Sequence, residues 1–230
     1  MESAHDNADE PGWASVARAV AVGYVAISAV LIGAGLLIGG ALTRTRLVSW
    51  DERTVGWFAA HRTHNLNTIS LLWSRLADAP QVVAVGFVVA LVLAVGRHWR
   101  QVALLAAILA VELGTFLTIS YTVSRKRPNV AHLGSVPSTG SFPSGHIAAT
   151  IVLYGFITVL LWQFAAPRVV QIIAATWTVV AALAVGWARM YRGMHHPLDV
   201  IAGAVMGVGV VIVFTVAARP GALRKERDPS

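Results

Sequence analysis

Six apolar runs divide the chain, and five of them approach the ~20 residues that an α-helix needs to cross the ~30 Å hydrocarbon core of a bilayer. They are expected as helices over 19–42, 80–96, 102–123, 144–162, 168–188 and 197–218, the third being interrupted by one carboxylate, Glu112. With 56% of its 230 residues hydrophobic and 13% charged, the chain is too apolar for an ordinary soluble domain. Between helices one and two, residues 43–79 mix charge with aromatics. There Val55, Phe58 and Ala59, and again Ile69, Leu72 and Trp73, recur at helical spacing. One or two short amphipathic helices lying at the membrane interface are expected in that stretch. The fold class is therefore all-α, a six-transmembrane-helix bundle with short interfacial helices. Its expected organisation is a polar N-terminal segment at 1–17, a membrane domain at 18–218 and a basic, disordered tail at 219–230.

The chain has no cysteine, which excludes disulfides, iron–sulfur clusters and thiolate zinc sites. His5, His61, His64 and His98 show no metal-ligand spacing, and neither metal nor cofactor is expected. The net charge of +7 is scattered over short loops between apolar runs. Anionic lipid headgroups are thus the expected partners, and nucleic acid is not. Glu2, Asp6, Asp9 and Glu10 are the opposite of the basic start of a secretory signal, so the first apolar run is expected to be retained. Six crossings place both termini on one side, and the basic tail favours a cytoplasmic location for them. The opposite loops are also rich in arginine, so charge counting alone leaves the orientation open.

Three separated motifs fall on that opposite side. Arg125-Lys126-Arg127-Pro128 follows helix three, Pro143-Ser144-Gly145-His146 opens helix four, and Arg189, His195 and Asp199 flank the turn into helix six. Arg127 and Arg189 supply planar donors matched to phosphate oxygens. Ser144, Gly145 and His146 would present backbone N–H groups at the positive end of a helix dipole, where anions bind. Asp199, four residues beyond His195, can reach one imidazole nitrogen and leave the other free to attack phosphorus. His146 is then the acid that protonates the leaving oxygen, and later the base that activates water. The expected site is catalytic His195, His146 and Asp199, with Arg127, Ser144, Gly145, Arg189, Arg125 and Lys126 on the phosphate.

These residues resemble the type 2 phosphatidic acid phosphatase superfamily, the lipid phosphate phosphatases. That resemblance runs from helix one to helix six. It implies a phosphohistidine on His195, a metal-independent mechanism and an active site on the extracytoplasmic face of a multi-pass cell-membrane protein. Pro143 to His146 match the family's second motif fully. The third has Ala188 where serine is usual, and the first has Ser120 where the family has a lysine seven positions before the Arg of Arg-Pro. Arg125 or Lys126 would stand in for that lysine.

Each feature also has a plainer reading. His195 with Asp199 could be a helix-capping pair, and only the company of Arg189 and Pro143–His146 turns it towards chemistry. Arg192 and His196 are expected at the surface. Glu112 is expected to make a helix-packing hydrogen bond or to face the bundle as a protonated carboxyl. Trp99, Trp162 and Trp187 are expected as interface anchors. The function that follows is hydrolysis of a lipid phosphomonoester or pyrophosphate, such as phosphatidic acid, phosphatidylglycerophosphate or a polyprenyl diphosphate. The alternatives are a catalytically silent lipid-phosphate binding protein and, less well supported, a transporter or scramblase, for which the chain offers no discontinuous-helix repeat. If the missing cation is a deficit, Ser120→Lys raises phosphate release from such a lipid. Unchanged release would mean that another residue already fills the role.

Overall fold

The computed structural model describes residues 12–219. Those residues form eight helices and no strand: α1 Trp13–Gly39, α2 Arg46–Ala60, α3 His64–Arg75, α4 Ala79–Val95, α5 Trp99–Val123, α6 Gly145–Gln163, α7 Arg168–Tyr191 and α8 Pro197–Ala217. The tail expected to be disordered lies outside the described residues, apart from Arg219, as does most of the N-terminal segment.

The all-α expectation holds, and two helices do stand between the first and second apolar runs. Five helices (α1, α5, α6, α7 and α8) are individually long and apolar enough to cross a membrane. α4 has 17 residues and continues from α3 across a 47° bend, so a sixth span requires the bent pair. α1 begins six residues before the expected start because a helix continues past the hydrocarbon where Trp and Arg are favoured. Arg100, at the start of α5, stacks 5.5 Å from the Trp13 ring. α7 runs three residues beyond the expected Ala188, through Arg189 to Tyr191, since nothing breaks it before Gly193. At Gly193, φ is +76°, and a Cβ would lie 2.8 Å from Val130. A glycine is therefore needed to turn the chain towards α8.

α6 is the central helix. It packs against α5, α7 and α8, and its buried face carries Ile147, Ala148, Val152, Leu153 and Phe156. Large apolar side chains on the outer faces stay exposed, Phe87 at 67% and Leu183 at 70%, as a surface turned towards hydrocarbon requires. The start of α6 and the first half of α8 approach each other closely. A Cβ on Gly203 would lie 2.3 Å from the Ser144 carbonyl oxygen, and one on Gly207 would lie 3.0 Å from that of Ala148. These two glycines, four residues apart, let the backbones meet as small residues do between membrane helices. The Ser144 N–H also donates to the Asp199 carbonyl at 2.9 Å.

Gly203→Ala should therefore force the two helices apart and cost about 1–3 kcal/mol by overpacking. Gly33→Ala, whose Cβ meets nothing within 4 Å, is the control. Unfolding midpoints in detergent compare them, with the Gly203 variant expected to fall and the Gly33 variant to stay near wild type.

Candidate active site

The three motifs meet at one end of the bundle. His146, Arg127, Arg189 and His195 together line the head of an apolar groove of about 400 Å³ that continues between α4, α5 and α6 past Val82, Leu109 and Phe116. Glu112 is in its wall, 6% exposed, with no hydrogen bond or ion pair among the described residues. The expected helix-packing hydrogen bond is therefore absent there.

His195 is 3% exposed and its Nδ1 lies 2.7 Å from the Ser141 carbonyl oxygen. A carbonyl only accepts, so Nδ1 carries the proton and the Nε2 lone pair is free. Burial, reinforced by Arg189, Arg127 and His146, holds the imidazole pKa well below its usual value, against an upward pull from the Ser141 hydrogen bond. His195 is thus a neutral base at neutral pH. Asp199 does not hold it: the shorter Asp199 oxygen is 3.9 Å from Nδ1, beyond hydrogen-bonding distance. The carboxylate instead accepts the His196 N–H at 2.8 Å and faces His196 Nδ1 at 3.2 Å, closing a capping box at the start of α8.

Arg127 donates to the carbonyls of Met194 at 2.7 Å and of Thr139 and Gly140 at 3.3 Å, which pins the loop after α5 to the turn before α8. Burial lowers its pKa and Asp199 opposes that, but a guanidinium stays charged in proteins. Arg189, on the last turn of α7, is 5% exposed and donates to Ser74 Oγ at 3.0 Å. Its Nε and the Ser144 hydroxyl are buried polar atoms without a protein partner. Donors left over in this way beside a helix N-terminus are what an anion would satisfy. Gly145 packs against the Phe116 ring, where a Cβ would come within 3.0 Å.

Arg125 and Lys126 are placed elsewhere. Arg125 donates to Asp51 Oδ2 of α2 and to Asp199 Oδ1 of α8, both at 2.5 Å, and both carboxylates are fully buried. Burial opposes its charge, yet Asp199 and Asp51 together raise its pKa. Lys126 is exposed beside a separate cavity of about 740 Å³ between α1, α2 and the loop after α5. Ser120 is fully buried, and its hydroxyl donates at 3.3 Å to the Gly140 carbonyl that also accepts from Arg127. Arg125, expected to stand in for the lysine missing there, gives one N–H from each terminal nitrogen to a carboxylate. Arg192 and His196, expected at the surface, are 9% and 5% exposed. Arg192 reaches Ser70 and the Leu133 carbonyl, because α3 folds over the α7–α8 turn.

The sequence reading missed Ser141, whose contribution is a backbone carbonyl and leaves no side-chain signal. It also missed Asp51, one charge among several in an amphipathic stretch, and Asp78. Asp78 stands just before Pro80, a pattern that signals only a helix start, yet its carboxylate lies 3.0 Å from His146 Nε2.

Fold and site define a multi-pass helical membrane protein with a buried cluster of arginines and histidines at one end of its bundle. The chain belongs to the PAP2 superfamily, whose family model matches residues 100–220, from α5 through α8. The undecaprenyl-diphosphatase of Sulfolobus acidocaldarius is 35% identical over 89 residues, 39% of this chain and 39% of that protein. YbjG of Escherichia coli (strain K12) is 27% identical over 162 residues, 63% of this chain and 77% of that protein. A crystal structure of a transmembrane PAP2-type phosphatidylglycerolphosphate phosphatase from Bacillus subtilis superposes with a TM-score of 0.71 at 21% identity, covering 83% of this chain and 93% of that one. At that identity the superposition speaks to the fold alone.

Removing Arg125 strips two buried carboxylates of their cation. Arg125→Ala is expected to cost about 3–5 kcal/mol, read as a lowered unfolding midpoint in detergent. A midpoint equal to wild type would show that the carboxylates find another partner.

Proposed function

We propose that the protein is an integral membrane phosphatase that cleaves a lipid phosphomonoester or lipid pyrophosphate through a phosphohistidine on His195. The observation that carries this reading is a buried imidazole with its Nδ1 tied to a backbone carbonyl, at the head of an apolar groove beside two arginines. The groove suits a lipid tail, and the cations suit the phosphate it carries. Phosphoryl transfer asks mainly for position and charge neutralisation. Arg127, Arg189, the Ser144 hydroxyl and the N–H groups opening α6 supply these. His195 Nε2 attacks phosphorus, and His146 protonates the departing oxygen and then takes a proton from water. Asp199 acts through the turn it caps. The names of the curated relatives favour a polyprenyl diphosphate as substrate.

In the membrane, α3 and α4 together make the sixth crossing, and α2 with part of α3 lies along the interface. Both termini are cytoplasmic and the groove's polar head faces the opposite side. A catalytically silent lipid-phosphate binding protein is the second reading, favoured by the absence of a cation at Ser120.

Purified protein in detergent with EDTA should release phosphate from phosphatidic acid, phosphatidylglycerophosphate or undecaprenyl diphosphate. His195→Ala should lower that release roughly 10³-fold or more, as loss of a nucleophile does. No release from wild type, with lipid binding equal in both proteins, would sink the phosphatase and support the binding protein.

A further inference from the structure

His146 lines two openings. On one side is the apolar groove. On the other is a polar pocket of about 210 Å³ lined by Ser74, Arg75, Asp78, Arg189 and Arg192 among others. Its Nε2 lies 3.0 Å from Asp78 Oδ1, and its Nδ1 has no hydrogen-bond partner among the described residues. Asp78 holds the N-cap position of α4 but makes no side-chain capping bond there. Its carboxylate is directed to the imidazole instead, at the bend where α3 meets α4.

We propose that Asp78 is the positioning residue for the acid–base histidine: by accepting the Nε2 proton it keeps His146 able to give and take protons at Nδ1. This rests on the roles given to His195 and His146 above. Arg189 and Arg127, at the head of the same groove, repel an imidazolium, and a carboxylate at hydrogen-bonding distance pulls the other way. When His195 Nε2 bonds to phosphorus, the bond from phosphorus to the lipid oxygen breaks and the Nδ1 proton of His146 goes to that oxygen. His146 is then neutral, with its remaining proton on Nε2 facing Asp78 and a lone pair on Nδ1. A water drawn from the polar pocket gives its proton to that lone pair as its oxygen bonds to phosphorus and the phosphorus–nitrogen bond breaks. Phosphate leaves, and His146 is an imidazolium again.

The leaving group makes the role measurable. An alkoxide, released from a phosphomonoester, is strongly basic and needs the proton. A lipid monophosphate, released from a diphosphate, is a weak base and scarcely needs it. Because kcat/KM reports steps only through departure of the leaving group, the two substrates separate proton donation from water activation.

The experiment compares wild type, Asp78→Asn and Asp78→Glu on dioleoyl phosphatidic acid and on undecaprenyl diphosphate. Asp78→Asn should lower kcat/KM for phosphatidic acid roughly 10²-fold, the usual scale of general acid catalysis, and leave that for the diphosphate within about threefold. Asp78→Glu should restore much of the loss. An equal fall on both lipids would make Asp78 merely structural, and no fall on either would remove it from the reaction. Both outcomes overturn the inference while leaving His195 as nucleophile, provided His195→Ala stays inactive. A wild type inactive on both lipids would take the function and the role of Asp78 down together.

Discussion

The end of the bundle where the three motifs meet is held by one half-buried arginine. Arg125 bridges Asp51 of α2 and Asp199 of α8, both fully buried, and Asp51 also accepts the Leu198 N–H at 2.7 Å. Three segments far apart in sequence are thereby fixed together: an amphipathic helix, the loop after α5 and the first turn of α8. Buried charges of this kind are costly unless each has its partner, so each member constrains the position of the others. The turn carrying His195 and the loop carrying Arg127 inherit that constraint.

One consequence is a division of labour between carboxylates. With Asp199 committed to Arg125 and to the capping of α8, the orientation of His195 passes to the Ser141 carbonyl. Ser141 is in turn anchored by two hydrogen bonds, its N–H to the Arg125 carbonyl at 2.8 Å and its hydroxyl to the Lys126 carbonyl at 2.9 Å. The segment read from sequence as phosphate-binding thus does much of its work through its backbone. It forms the frame on which His195 and Arg127 are hung.

A second consequence is the two-sided surrounding of His146. An apolar groove reaches it from one side and a polar pocket from the other, and Arg189 lines both. A phosphate at that boundary would be neutralised by groups already desolvated, where electrostatic interactions are stronger than in water. Its lipid tail would stay in apolar surroundings. The close crossing of α6 and α8 at Gly203 and Gly207 serves the same end, since it presses the N-terminus of α6 against the turn that bears His195.

The sequence by itself determined the apolar helices, their order and the residues gathered at one end, because span length and hydrophobicity are local properties and Pro-Ser-Gly-His is contiguous. It also singled out two arginines and two histidines, which the structure brings to the head of one groove. Tertiary structure alone decided the partners. That Arg125 meets two carboxylates, that a backbone carbonyl orients His195, that Asp78 reaches His146, and that Arg192 is buried all follow from contacts between segments 54 or more residues apart. Sequence spacing encodes neighbours along a helix and is silent about which distant chain will cover it. A carboxylate four residues from a histidine was therefore legible as within reach, while the closer carbonyl from another loop was not.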